Sequence, residues 1–102
     1  MNKFGLDKKT IEKINEVFSK FSQIEQVIIY GSRAKGNYKN GSDIDLTLIE
    51  SNLNFSELLA IENQLDDLLL PYKIDLSQKR IISNQKLIEH IERVGIPFYS
   101  RI

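Results

Sequence analysis

Asp43 and Asp45 are separated by one residue in the segment SDIDLTLIE, where apolar and polar side chains alternate. On a β-strand that alternation sends Ile44, Leu46 and Leu48 to one face and Asp43, Asp45 and Thr47 to the other. Two carboxylates then project together, and their mutual repulsion calls for a cation between them. A third carboxylate, Asp75, holds the equivalent outward position in the later segment YKIDLS. If the two strands are neighbours, all three sets of oxygens converge. Oxygen donors without His or Cys suit Mg2+ or Mn2+ rather than Zn2+.

Ten residues separate Asp43 from the dipeptide Gly31-Ser32, which ends the apolar run QVIIY. A turn from strand to helix leaves backbone N–H groups free for an anion, and glycine permits close approach. A phosphate cradle beside a carboxylate metal site is the equipment of phosphoryl or nucleotidyl transfer. Each piece alone is commonplace: Gly-Ser is an ordinary turn, and Asp-x-Asp is most often a solvated strand face. The whole pattern, in that order and spacing, is rare.

The elements that would position these residues are legible from periodicity. Ile11, Ile14, Val17, Phe18 and Phe21 share one helical face between Asp7, a candidate N-cap, and about residue 21. QVIIY, residues 26–30, reads as a buried strand, followed by a helical turn over RAKG and a loop. After the DIDLTLIE strand, Asn54 and Glu57 form a candidate capping box. They open a helix with Leu58, Leu59, Ile61, Leu65, Leu68 and Leu69 as its buried stripe, stopped by Pro71. YKIDLS is the next strand. Ser83 caps a further helix bearing Leu87, Ile88, Ile91 and Val94, Gly95 ends it, and IPFYSRI forms a last edge strand. This order predicts an α/β (α+β) fold, a small mixed β-sheet of about four strands packed with helices. The expectation is one domain over residues 1–102, without linker or repeat.

Several polar residues fall outside the constellation. Arg33, Lys35 and Lys39 read as solvated cations of the loop, and Gly41-Ser42 as the turn into the strand. His90, the only histidine, reads as a surface or boundary residue, Asp66 and Asp67 as water-facing, and Tyr30 as core.

Fourteen Lys and Arg balance fourteen Asp and Glu, so no broad attraction to nucleic acid is expected. The absence of cysteine removes disulfides and thiolate chemistry. Apolar runs are too short for a membrane span, and MNKFGLDKK lacks a signal-peptide core, so a cytoplasmic location is expected.

The string GSRAKG followed by SDIDL resembles the signature of the DNA-polymerase-β-like nucleotidyltransferases, and within them the minimal nucleotidyltransferase (MNT) proteins. Gly31, Ser32, Asp43 and Asp45 match the motif, Asp75 in KIDL matches the third carboxylate, and the similarity spans nearly the whole chain. The resemblance implies the nucleotidyltransferase fold and AMP transfer from MgATP, with two metal ions shared by Asp43 and Asp45. Asp75 would bind one ion near the attacking hydroxyl and serve as its base, while Gly31 and Ser32 would hold the β- and γ-phosphates. It further implies an antitoxin that adenylylates a tyrosine of a HEPN-type helical toxin. An antitoxin acting by contact alone, and a small-molecule nucleotidyltransferase completed by a partner, stay open, as does homo-oligomerisation. Direct nucleic-acid binding and membrane association are not expected.

Overall fold

The computed structural model describes residues 3–101; the last residue of the expected final strand, Ile102, lies outside them. Helix α1 is Lys8–Ser19, strand β1 Gln26–Tyr30, helix α2 Gly31–Lys35 and strand β2 Ile44–Ile49. Helix α3 is Phe55–Asp66, strand β3 Ile74–Gln78, helix α4 Gln85–Val94 and strand β4 Ile96–Ser100, with a 3-10 turn over Lys79–Ile81. The four strands form one mixed sheet in the order β3-β2-β1-β4. β1 runs antiparallel to both β2 and β4, whereas β2 and β3 are parallel. No helix among the described residues is long and apolar enough to cross a membrane.

Strand alternation divides the sheet into two unequal faces. Val27, Ile29, Leu46 and Leu48 point to one side, where Ile14, Val17 and Phe18 of α1 and Ile61 and Leu65 of α3 complete the main core. Ile28, Tyr30, Asp45 and Asp75 belong to the other side. There α4 packs over β1, with Ile91 buried and Gly95 so close to Ile28 that a Cβ would collide. Asp43 and Asp75 are exposed, so this face is open at its carboxylate end, whereas Thr47 farther along β2 is buried.

Local signals locate most boundaries. Asp7 caps α1 by accepting from the Thr10 N–H at 2.8 Å. Asn54 and Glu57 form the reciprocal capping box, each side chain accepting the other's backbone N–H at 2.8 and 2.9 Å. Two expectations are corrected. α3 stops at Asp66, before Pro71, with Asp67 as its C-cap, and Leu69 in the turn beyond adopts a left-handed backbone (φ 55°). Leu69 is thus exposed, and Leu59, turned about 100° from the Leu58 position, faces outward too. The cap of α4 is Asn84 rather than Ser83, its side chain accepting from the Leu87 N–H at 3.2 Å. Both residue types cap well, and it is the Asn84 side chain that reaches the free N–H.

Removing the α3 cap should be felt globally, since α3 supplies Ile61 and Leu65 to the core. Asn54→Ala is expected to lower unfolding free energy by about 1 kcal/mol in urea denaturation. An unchanged midpoint would show that the capping box contributes nothing to stability.

Candidate active site

Asp45 and Asp75 are paired in register across the parallel β2–β3 ladder, and Tyr30 of β1 partners Asp45 from the other side. Tyr30, Asp45 and Asp75 thus form one rung on the open face, with adjacent backbones ~4.8 Å apart. Asp43 immediately precedes β2 and is exposed, as is Asp75, while Asp45 is half-buried. Burial raises the Asp45 carboxyl above its ordinary value of 3.8, and the charges of Asp75 and Asp43 push it further up; His90 and Arg33 oppose them. Burial also raises the Tyr30 hydroxyl, against a hydrogen bond with Ser77 and with the same sign as Asp75 and Asp45. On the next rung Ser77 Oγ donates to Thr47 Oγ1 at 3.0 Å, which satisfies the fully buried threonine.

Gly31 opens α2 with φ 74°, a region that side chains disfavour. A Cβ built there would collide with Asp45 Oδ2, so the turn and the carboxylate share one space. The Gly31 N–H donates to His90 Nε2 at 3.1 Å, and the imidazole meets the Tyr30 ring edge-on at 6.1 Å. Ser32 lies next to it, partly buried. His90 is therefore at the site, which its position between two isoleucines in the sequence did not reveal.

Arg33 is the residue that sequence reasoning misplaced. It is 2% exposed, unlike the exposed Lys35 and Lys39. Its Nε and Nη2 donate to the Ser42 carbonyl at 3.1 and 2.8 Å, and Nη1 donates to the Phe4 carbonyl at 2.9 Å. The Tyr38 and Tyr72 rings flank the guanidinium at 5.3 and 4.9 Å. One side chain so ties the loop ahead of Asp43 to the segment ahead of β3. Lysine lacks both the fork and the planar stacking surface. Arg33→Lys is expected to destabilise the fold by about 1–3 kcal/mol in chemical denaturation. A loss below that range would mean that charge alone suffices.

The family described as Polymerase beta, Nucleotidyltransferase matches residues 12–102. The chain belongs to this nucleotidyltransferase family. A Methanocaldococcus jannaschii protein named "Putative protein adenylyltransferase MJ1217" is 33% identical over 92 residues, covering 82% of this chain and 93% of that protein. A crystal structure of a toxin–antitoxin with AMP-PNP has a TM-score of 0.69 at 19% identity, covering 93% of this chain and 74% of that one. The structure of a tri-AMPylated Shewanella oneidensis HEPN toxin in complex with an MNT antitoxin gives a TM-score of 0.66 at 16% identity, covering 91% of this chain and 71% of that one. At those identities the two structures establish the shared fold, the mixed sheet with helices expected from the sequence.

Among the described residues of this nucleotidyltransferase, no three His, Cys, Asp or Glu side chains already form a cage for a metal ion. Mg2+ does not require one, because it keeps waters and is held by one or two carboxylates plus substrate phosphates. A half-buried carboxylate raised by two like charges is a donor set that a divalent ion would relieve.

A hollow of about 590 Å3, lined by Glu25, Gln26, Ile49, Glu50 and Ser100, lies at the opposite end of the strands. It does not reach the carboxylates.

Because the native state of this nucleotidyltransferase holds the Asp45 proton more tightly than the unfolded chain, the associated stability is complete below 3.8. It is lost as pH rises through the raised native value. Asp45→Asn should therefore raise the melting temperature at pH 7 in the absence of metal. That gain should shrink as pH falls toward the ordinary carboxyl value. A lower melting temperature for the variant at pH 7 would contradict the like-charge account.

Proposed function

We propose that this enzyme transfers AMP from MgATP to a tyrosine hydroxyl of a HEPN-type toxin partner and so acts as its antitoxin. The observation that carries the reading is the in-register Asp45–Asp75 pair on an open sheet face, beside the Gly31 turn. The M. jannaschii relative, named for protein adenylyl transfer, supports the activity; the fold shared with an MNT antitoxin bound to a HEPN toxin supports the partner. One domain over residues 1–102 would hold the whole site, acting in the cytoplasm.

Asp43, Asp45 and Asp75 would hold the divalent ions, magnesium or manganese. When bound, these supply charge neutralisation for the triphosphate and polarisation of the phosphoryl group. Ser32 binds the β- and γ-phosphates, and Gly31 contributes room, since its N–H is already given to His90. Asp75, exposed at the sheet edge, accepts the proton of the attacking hydroxyl. A bond forms from that oxygen to the α-phosphorus, the bond to the bridging oxygen breaks, and pyrophosphate leaves. An ordinary tyrosine hydroxyl titrates near ~10, so a base at this point is needed at neutral pH.

The test incubates the pure chain with α-labelled ATP, Mg2+ and the HEPN-type protein encoded beside it. Label should appear on a partner tyrosine, and Asp75→Asn should slow transfer by about 100-fold or more. Asp45→Asn should abolish transfer while leaving the complex intact. An unlabelled partner that Asp45→Asn still neutralises would overturn the reading in favour of contact alone.

A further inference from the structure

α4 is held at a defined angle over β1. Ile91 is buried, Gly95 packs against Ile28 without room for a Cβ, and Lys79 pairs with Glu92 at 3.2 Å on the outer side. That angle presents His90 to the Gly31 turn, 59 residues away in sequence. Its Nε2 accepts the Gly31 N–H, which puts the ring proton on Nδ1, and its ring rests edge-on against buried Tyr30. Asp45 Oδ2 stands where a Cβ on the same glycine would lie, with no space for even a methyl group. The left-handed Gly31 peptide is thus held between an acceptor and a carboxylate. Loss of the His90 acceptor would leave the Gly31 N–H unpaired and the turn free to shift beside Asp45.

We propose that His90 is a positioning residue: by accepting the Gly31 N–H it holds the turn clear of Asp45 and fixes where that carboxylate points. The consequence for catalysis rests on the adenylyl-transfer reading above. Phosphoryl transfer depends on alignment, and misplacing a carboxylate by about 1 Å is enough to slow it on the order of 100-fold. His90 touches neither reacting atom in this account.

Two variants of the full chain separate acceptor from bulk. Gln places a carbonyl oxygen where Nε2 stood, whereas Phe keeps a ring against Tyr30 and offers no acceptor. Without nucleotide, NMR-detected exchange of the Gly31 amide should accelerate about tenfold or more in His90→Phe and stay near wild type in His90→Gln. With ATP, His90→Phe should lower kcat by about 10-fold to 100-fold at nearly unchanged KM for ATP, with His90→Gln within about threefold of wild type. Unchanged Gly31 exchange in His90→Phe would overturn the proposal. So would equal kcat losses in both variants, or tighter ATP binding with faster transfer in His90→Phe, the sign that His90 merely competes with phosphate. If the wild-type chain transfers no AMP, the proposed function fails, and the exchange comparison decides the His90 contact by itself. Protection lost with Phe and kept with Gln sustains it.

Discussion

Placing Asp45 and Asp75 in register on neighbouring parallel strands is the constraint around which the rest of the molecule is arranged. Like charges on backbones ~4.8 Å apart repel, and partial burial of Asp45 strengthens that repulsion. The opposite face of the same strands compensates. Ile44, Leu46 and Leu48 are fully buried against α1 and α3, so the hydrophobic core holds β2 in the register that keeps its carboxylate outward. A slip of one residue would exchange the two faces, burying charge and exposing the core. Register and function are therefore fixed by the same alternation.

Two contacts from outside the carboxylates refine their geometry. Arg33 draws the Ser42 carbonyl, the Phe4 carbonyl and two tyrosine rings around a single guanidinium, which sets where the chain enters β2 and approaches β3. His90 takes the Gly31 N–H from the other direction. Between them the glycine turn and the carboxylate rung are braced, while Asp43 and Asp75 stay exposed. Asp45 carries unfavourable charge here that a bound cation would relieve.

Local chemistry accounts for what was legible before the fold was known. QVIIY is a strand to the residue, Asp7 and the Asn54–Glu57 box cap their helices, and Gly95 ends α4. Each signal is carried by residues within one turn or one strand of its effect. The end of α3 is less legible because Leu68, Leu69 and Leu70 all favour helix by composition, yet the helix is already capped at Asp67 and Leu69 turns left-handed beyond it. Ser83 and Asn84 are adjacent residues that both cap well, so local signals alone did not choose between them.

Arg33 and His90 mark the boundary most clearly. Read along the chain, an arginine in a Gly-rich polar loop is a solvated cation, and a histidine between two isoleucines is a boundary residue. Their partners, Phe4, Ser42 and Tyr72 for one and Gly31 for the other, lie far off in sequence or across a loop. By itself, then, the sequence determined the elements, the two-faced sheet and the acidic residues available for chemistry, because alternation and capping are local. Only the tertiary structure decided that β2 and β3 are parallel neighbours, that Asp45 meets Asp75, and that His90 closes on Gly31. Those are pairings across the chain, set by how helices and strands bury their apolar faces together.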